Sequence, residues 1–381
     1  MKKLCFCTTI PITIEKFMLE SFIYIHEQTG WDISIICDYD KAFQKKLPDY
    51  IHYYPVAMKR GVSLSSFKAV LDIYRILKKE RFDFVQYSTP NAAFYMSIAA
   101  KMARVPIRNY HLMGFRYLGA TSIEKRILKA IERLTCKNST SIECVSNSNL
   151  ELGVSEHLFS REKATVVWNG STGGVNLDVF DYNKRQEWRS DIRKKLGLED
   201  NEFVFGFVGR ITKDKGVNEL LQAFFALNKE AKLLMFGAFE NDDNGLDSEL
   251  MEKAKRSPDI YYGGLVDSIE KYFSAMDVLV LPSYREGFGN VVIESSAIGT
   301  PVIVSDIPGP VDAMKNGVTG IVVKPQDVQS LKNAMIDAMD IDYASMGIAA
   351  KEYVKTHFDS KTLNKYILER KRFLLENKYN Q

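Results

Sequence analysis

The sequence predicts an α/β protein made of two doubly wound parallel-sheet domains. Short apolar runs rich in β-branched residues alternate with longer amphipathic stretches, which is typical of parallel strands joined by helices. The alternation stops at a polar, glycine-containing segment over residues 169–176 and then starts again. A length of 381 residues gives each half enough chain for a core of its own.

The first domain is predicted over residues 1–170 and the second over residues 171–362. Strands of the first domain are expected at Leu4–Thr8, Ile33–Cys37, Phe84–Tyr87, Ile107–His111, Ile142–Ser146 and Ala164–Trp168. Strands of the second are expected at Phe203–Val208, Lys232–Phe236, Ile260–Tyr262, Val278–Leu281, Val302–Val304 and Gly320–Val323. Helices are expected between these strands, and a final helix at Leu363–Leu375.

The composition is that of a cytoplasmic protein. No stretch approaches the roughly 20 apolar residues of a membrane-spanning helix, and the chain begins in a strand and not in a signal peptide. Five scattered cysteines, at positions 5, 7, 37, 136 and 144, favour reduced thiols in the core over disulfides or a metal site. We therefore expect a cytoplasmic location.

Positive charge is concentrated in the first part of the chain. Residues 1–165 carry 24 Lys and Arg against 16 Asp and Glu, a net of +8, and the remainder carries 27 against 32, a net of −5. Lys125, Arg126, Lys129, Arg133 and Lys137 recur at helical spacing among apolar residues. Such a helix either lies on an anionic membrane surface or packs on the sheet with a solvated face, and the pattern fits both.

Two cations five positions apart, Arg210 and Lys215, follow a predicted strand that ends near Gly209. A helix is expected to begin at Gly216. Arginine binds phosphate oxygens in bidentate fashion and lysine acts as a point charge. We expect both cations to bind phosphate, with Lys213 as the alternative to Lys215.

Two glutamates eight positions apart, Glu286 and Glu294, flank a turn from a strand into a helix. Gly287 and Gly289 let the backbone turn, and a helix that begins near Asn290 offers its first amides to an anion. Ligands bind at the carboxyl ends of strands in open α/β sheets, and a carboxylate accepts from two adjacent hydroxyls. The pattern fits a diphosphate between two hydroxyl-bearing rings.

Together with Arg210 and Lys215, this spacing resembles the E-x7-E signature of the family-four retaining glycosyltransferases, which have the GT-B fold. The resemblance is strongest over residues 203–324. It implies a hexosyl- or N-acetylhexosaminyltransferase that takes its sugar from a nucleotide diphosphate, most simply UDP, and needs neither a metal nor a cofactor. It also implies that Glu286 contacts the donor sugar, Glu294 the ribose, and the two cations the diphosphate. The remaining donor-binding residues are then expected to be Gly209, Gly287, Phe288, Gly289 and Asn290.

The same resemblance implies a catalytic histidine in the first domain and a last helix, over residues 363–381, that packs back onto that domain. His111, at the end of a predicted strand, is the match for this histidine. The alternative is a histidine that is only hydrogen-bonded at the strand end.

Segments around Arg60 and Arg116 resemble the capsule and O-antigen branch of the family, which extends a sugar on a polyprenyl diphosphate. This implies a saccharide acceptor linked to a lipid and peripheral contact with the anionic inner face of the cell membrane. Arg60 and Arg116 are then candidates to bind the acceptor diphosphate. Thr9, in the loop after the first strand, offers a hydroxyl to the acceptor.

Other functions fit the sequence less well. Asp38 and Asp40 form a D-x-D pair, but the two-domain pattern contradicts the fold that binds metal through this motif. The dinucleotide and P-loop fingerprints do not occur, and no nucleic-acid-binding motif accompanies the modest positive charge. A UDP-sugar 2-epimerase of the same fold and a catalytically idle membrane-associated scaffold remain as alternatives.

Overall fold

The computed structural model describes residues 1–58, 64–239 and 245–377. It divides into two compact units. Unit 1 comprises residues 1–173 together with those from 361 onward, and unit 2 comprises Gly174–Ser360. Each unit is a parallel sheet between helices, as predicted.

The sheet of unit 1 has the order β3-β2-β1-β4-β5-β6-β7, and every neighbouring pair is parallel. Its strands are β1 (Lys3–Cys7), β2 (Asp32–Cys37), β3 (Ile51–Pro55), β4 (Phe84–Tyr87), β5 (Ile107–Leu112), β6 (Ser141–Cys144) and β7 (Ala164–Val166). The prediction missed β3, because this edge strand is only partly buried and lacks a continuous apolar run. The strand order reverses direction between β1 and β4. Ligands bind at such switch points in α/β sheets.

Helices cover both faces of the unit 1 sheet. One apolar core lies against α4 and α5, with Ile73 and Met96 at its centre, and the other lies against α1 and α2, with Ile14 and Phe22. The helices up to this point in the chain are α1 (Pro11–Phe17), α2 (Leu19–Thr29), α3 (Lys41–Lys46), α4 (Leu64–Glu80), α5 (Pro90–Met102), α6 (Ser122–Asn138) and α7 (Asn147–Ser155).

Unit 2 repeats the architecture with a sheet of order β10-β9-β8-β11-β12-β13, in which the switch point lies between β8 and β11. Its strands are β8 (Val204–Val208), β9 (Lys232–Phe236), β10 (Ile260–Gly264), β11 (Val278–Leu281), β12 (Val302–Ser305) and β13 (Gly320–Val323). Its helices are α8 (Arg185–Leu196), α9 (Val217–Phe225), α10 (Ser248–Arg256), α11 (Ile269–Ala275), α12 (Asn290–Ala297), α13 (Val328–Asp340) and α14 (Tyr343–His357).

The last helix, α15 (Ser360–Glu376), brings the chain back to unit 1. Leu368, Leu374 and Leu375 are buried in the same core as α1 and α2. Lys371, on the same helix, donates a hydrogen bond of 2.6 Å to Glu143 of β6. A polar contact therefore accompanies the apolar packing of this helix on the sheet.

Candidate active site

Two loops of unit 2 meet at the switch point of its sheet. One follows β8 and carries Arg210 and Lys215, and the other follows β11 and carries Glu286. Because β8 and β11 are parallel neighbours, both loops leave the sheet at the same edge. The Lys215 ammonium lies 2.5 Å from Glu286 Oε1, and both side chains are largely buried. The structure thus brings together two of the residues that the sequence singled out.

Glu286 has a second partner that the sequence did not indicate. Ser283 donates its hydroxyl proton to Glu286 Oε1 over 2.8 Å, so that one carboxylate oxygen is shared by Lys215 and Ser283. Ser283 is fully buried at the start of the loop. Lys215 and Ser283 together fix the Glu286 carboxylate through Oε1, and these two contacts do not involve Oε2.

Asp214, in the loop after β8, connects the two loops through its contact with Arg285 in the loop after β11. Its carboxylate lies 2.8 Å from Arg285 and 3.4 Å from Arg210, and it accepts a hydrogen bond of 2.5 Å from Thr212. Burial alone would raise the pKa of Asp214. The hydrogen bond from Thr212 and the positive charges of Arg285, Arg210 and Lys215 outweigh burial and hold this pKa below its ordinary value.

Sequence reasoning missed Asp214 and Arg285. The available signal was an acid placed between two lysines and an arginine next to Glu286. Arg285 is the more tightly held of the two arginines on Asp214, whereas Arg210 is the more exposed. Within these contacts, the three cations Arg210, Lys215 and Arg285 face the two carboxylates of Asp214 and Glu286.

Two glycines with positive φ lie next to helix starts at this edge. Gly216 precedes the first residue of α9 with a φ of 71°, and a Cβ atom there would lie 2.0 Å from the carbonyl oxygen of Pro282. Gly289 has a φ of 83° and precedes the first residue of α12. Residues with side chains rarely adopt such φ values, and a side chain could not fit at Gly216. Gly216 thus allows the loops after β8 and β11 to pack directly on each other.

The remaining predicted donor-binding residues lie along the same loop and helix. Gly209 follows β8, and Gly287 precedes Phe288, whose buried side chain packs edge-on against Phe358 at 5.3 Å. The Phe288 side chain is therefore part of the core, and only its backbone can contact a ligand. Asn290 is the first residue of α12, and Glu294, four residues later, lies on the same side of the helix and is partly exposed.

In unit 1, predicted residues gather at the corresponding switch point, after β1 and β4. The backbone amide of Thr9 donates to the Thr89 hydroxyl over 3.0 Å, and the two hydroxyls lie 2.9 Å apart. Thr89 has a φ of 63°, which is unusual for a β-branched residue. Arg116 donates to the side chain of Asn91 over 3.4 Å at the start of α5. Arg60, the other predicted acceptor residue, lies outside the described residues.

His111 is buried, and β5 continues one residue beyond it to Leu112. Its Nδ1 atom lies 3.0 Å from the hydroxyl of Ser88, which follows β4. Burial lowers the pKa of His111 to about 4, Glu143 opposes this effect, and Lys371 adds to it. The imidazole is therefore neutral at physiological pH, one residue from the carboxyl end of its strand.

Asp38 and Asp40, the D-x-D pair, are used locally. Asp38 accepts a hydrogen bond of 2.8 Å from the backbone amide of Met58, and Asp40 caps the start of α3 through the amide of Phe43 at 2.8 Å.

Across the described ranges, no helix is both long and apolar enough to cross a membrane.

Comparison with known proteins agrees with this architecture. The profile of the family "Glycosyl transferases group 1" matches residues 189–353, and that of "Glycosyltransferase Family 4" matches residues 26–171. The capsular polysaccharide biosynthesis glycosyltransferase CapM of Staphylococcus aureus is 31% identical over 328 residues, which are 84% of this chain and 84% of CapM.

Two further proteins extend the comparison. The UDP-Gal:alpha-D-GlcNAc-diphosphoundecaprenol alpha-1,3-galactosyltransferase of Escherichia coli is 28% identical over 345 residues, 86% of this chain and 84% of that enzyme. The crystal structure of Anabaena HepE in complex with UDP and glucose superposes with a TM-score of 0.79 at 20% identity, over 98% of this chain and 100% of HepE. The fold is GT-B, and the chain belongs to the family-four glycosyltransferases.

Proposed function

We propose that this glycosyltransferase transfers a sugar from a nucleotide diphosphate, most simply a UDP-sugar, to a lipid-linked saccharide with retention of anomeric configuration. The contact of Lys215 with Glu286, beside Arg210, carries the proposal. It sets a phosphate-binding cation next to a carboxylate that can accept from sugar hydroxyls. The UDP in the HepE structure and in the name of the Escherichia coli relative supports the choice of nucleotide.

The chemistry follows from the charges at the edge of unit 2. As the glycosidic bond breaks, negative charge builds up on the departing diphosphate and positive charge on the sugar ring. Arg210, Lys215 and the first amides of α12 stabilise the diphosphate, and Glu286 orients the sugar through its hydroxyls. Glu294 binds the ribose. Retention then arises from attack by the acceptor on the face from which the nucleotide leaves.

We propose that these cations replace a divalent metal. Lys215, Arg210 and Arg285 surround the place for the diphosphate with three positive charges, of which Asp214 and Glu286 offset two. A permanent cation held in place costs little reorganisation when charge develops on the leaving group. Transfer should therefore proceed in the presence of a chelator.

The acceptor half of the proposal rests on unit 1. Thr9, Thr89 and the start of α5 lie at the switch point of its sheet, where a ligand is expected. Arg116 adds positive charge there, and Arg60 is proposed to add more. The names of two relatives support a polyprenyl-diphosphate acceptor in surface polysaccharide synthesis, since one acts on a diphosphoundecaprenol sugar and one in capsule formation.

The exposed apolar surface of unit 1 supports contact with an anionic membrane. On α6, the residues at positions 123, 127, 130 and 134 form one stripe, in which Ile123 is 72% and Ile127 is 54% exposed. Basic residues flank the stripe at Arg126, Arg133 and Lys137, all exposed. An exposed apolar stripe with basic flanks fits the interface of an anionic bilayer.

Helix α4 contributes to the same surface. Helices α4 and α6 both pack against α5, one on either side of it. Phe67 of α4 is 71% exposed. Because each of these helices runs back against a parallel strand, its first turns lie toward the carboxyl ends of the strands. Phe67 and Ile123 therefore lie toward the edge that carries Thr9 and Arg116, where a lipid-linked acceptor would enter from the bilayer.

The test is a panel of nucleotide sugars offered with polyprenyl-diphosphate-linked saccharides, in which nucleotide release and product mass are both measured. We expect product only when donor and acceptor are present together, and its anomeric configuration by NMR should match that of the donor. Glu286→Gln should abolish most turnover. The matched control is Glu252→Gln, which changes an exposed glutamate of α10. A converted free sugar without acceptor would instead identify a 2-epimerase.

A further inference from the structure

We propose that Glu143 and Lys371, a buried ion pair behind His111, are positioning residues that fix the orientation and the charge of its imidazole ring during sugar transfer. The inference rests on the proposed catalytic role of His111. It assigns a function to α15, because Lys371 lies on this helix whereas Glu143 lies on strand β6.

The register of the sheet sets the three groups in one row. β5 and β6 pair in parallel with His111 opposite Glu143. On the other side of β5, Tyr110 pairs with Tyr87, so that Ser88 follows β4 next to His111. The Ser88 hydroxyl lies 3.0 Å from His111 Nδ1. His111 thus has the Ser88 hydroxyl within hydrogen-bond distance on one side and is paired in register with Glu143 on the other.

The ion pair is shielded from solvent. Lys371 Nζ lies 2.6 Å from Glu143 Oε2, and the two side chains are only 1% and 4% exposed. Arg370 adds a second positive charge, with its Nε 3.7 Å from Glu143 Oε1. Within the described residues, no hydrogen bond reaches Glu143 Oε1, although the atom is buried. A buried carboxylate oxygen of this kind is costly unless a polar neighbour serves it.

Glu143 and His111 share a cavity. Together with Lys371 they line a space of about 30 Å³, which is enough to hold a water molecule. The other polar groups around it are Ser21 of α2, Gln86 of β4, and Ser171 and Thr172 of the segment after β7. The imidazole and the carboxylate therefore share a cavity in which a few polar groups stand among apolar ones, and Lys371 of α15 forms part of its wall.

The charges around this cavity act on His111 in opposite directions. The negative charge of Glu143 raises the pKa of His111, and the positive charge of Lys371 lowers it. Arg370 and Lys371 keep Glu143 ionised, since they lower its pKa although burial alone would raise it. The remaining ionisable group is the thiol of Cys144, whose pKa is raised by burial. With Lys371 in place, the carboxylate can orient the ring while the ring stays neutral.

A neutral ring matters because positive charge develops on the sugar as the nucleotide leaves. An imidazolium next to that sugar would raise the energy of the transition state by repulsion, whereas a neutral imidazole can donate or accept a hydrogen bond. Without Lys371, the negative charge of Glu143 should stabilise the imidazolium, so that His111 takes up a proton from solvent more readily. The consequence would be a slower reaction at mildly acidic pH, with donor affinity little changed.

The experiment compares Lys371→Met, Glu143→Gln, the double variant and Lys371→Arg in the full-length protein. The pKa of His111 is followed by NMR with labelled histidine, with His111→Gln to assign the signal, and kcat is measured against pH. We expect Lys371→Met to raise the pKa of His111 by more than one unit and to move the acidic limb of kcat with it. The double variant removes both charges and should therefore restore the pKa of His111 and the acidic limb of kcat. Lys371→Arg keeps both charges and should show the same two values as the unmodified protein.

The outcomes separate two failures. If His111→Gln retains the kcat of the unmodified protein, the proposed role of His111 is wrong. If His111 is required but neither its pKa nor the kcat profile responds to Lys371→Met, the ion pair is only structural and the inference is overturned. Should Lys371→Met fail to fold, the double variant decides, because a double variant that keeps both the original pKa of His111 and the original kcat would show that the pair does not orient the ring.

Discussion

Lys215 and Glu286 are 71 positions apart in the chain, yet their side chains meet at 2.5 Å where the loops after β8 and β11 converge. In the function we propose, the ammonium divides its charge between this carboxylate and an incoming phosphate, and the carboxylate turns toward sugar hydroxyls. The contact thus links the phosphate and sugar halves of the proposed donor site.

The first prediction concerns the leaving group. Lys215→Ala should lower kcat on the order of 100- to 1,000-fold, because it removes a charge that acts mainly as the diphosphate departs. The affinity for UDP should fall less, as measured by calorimetry. Lys213→Ala is the matched control, since Lys213 lies on the same turn but is exposed. Equal losses from both substitutions would contradict the assignment of Lys215.

A second prediction concerns Asp214 and the pH dependence of stability. The pKa of Asp214 is lower in the folded protein than in the unfolded chain, so that its ionised form stabilises the fold above the unfolded pKa, whose ordinary value is 3.8. This contribution is lost as the pH falls through the lower, folded pKa. Asp214→Asn should therefore flatten the melting temperature against pH in the range below about 4, relative to the unmodified protein.

The same substitution should weaken nucleotide binding, because Asp214 holds Arg285 and Arg210 in place. We expect the Kd for UDP to rise several-fold, with a smaller effect on uridine, which lacks the diphosphate. Calorimetric titration of both ligands measures the difference. An equal loss for uridine would show that Asp214 supports the loop in general and not the phosphate-binding cations.

A third prediction concerns metals. If fixed cations stabilise the diphosphate, turnover with saturating donor should be unchanged by EDTA and by added Mg²⁺ or Mn²⁺. Arg210→Ala should instead make the reaction respond to added Mg²⁺, because a divalent ion can then supply the missing charge. Loss of activity in EDTA that Mg²⁺ restores in the unmodified enzyme would refute metal independence.

A fourth prediction concerns the membrane. The double variant Ile123→Asp/Ile127→Asp should bind vesicles of phosphatidylglycerol and phosphatidylcholine more than tenfold less tightly, since burial of one isoleucine contributes about 1.5–3 kcal/mol. Leu265→Asp is the control, because Leu265 is 81% exposed but belongs to unit 2. Co-sedimentation at two salt concentrations measures the vesicle binding of each protein and its dependence on salt. Equal binding of all three proteins would argue for α6 as an ordinary solvated helix.

The positions of the loops after β8 and β11 were predictable from sequence because each loop is set by residues close to it in the chain. Glycines, cations and glutamates follow strands with strong apolar patterns, and neighbouring parallel strands bring their loops to one edge. The Asp214 contacts with Arg285 could not be predicted, since they depend on side-chain directions within the two loops. The edge strand β3 was missed because half of its surface faces solvent, so that its apolar pattern is weak.

The surroundings of His111 show the same limit more clearly. The sequence placed this residue near a strand end, and the structure adds Glu143 from the next strand and Lys371 from the last helix. A partner on a remote helix leaves no local pattern in the sequence. Only the packing of α15 on the sheet reveals which of its basic residues is buried.

The return of α15 to unit 1 also has a consequence for the order of folding during synthesis. Glu143 precedes Lys371 by 228 positions, so a ribosome makes all of unit 2 before the counter-charge of this carboxylate exists. Until then the nascent first unit lacks the three leucines of α15 that pack in its core and the Lys371 partner of Glu143. Unit 2, whose chain is continuous from Gly174 to Ser360, can fold first, and the amino-terminal unit is completed only when the last helix leaves the exit tunnel.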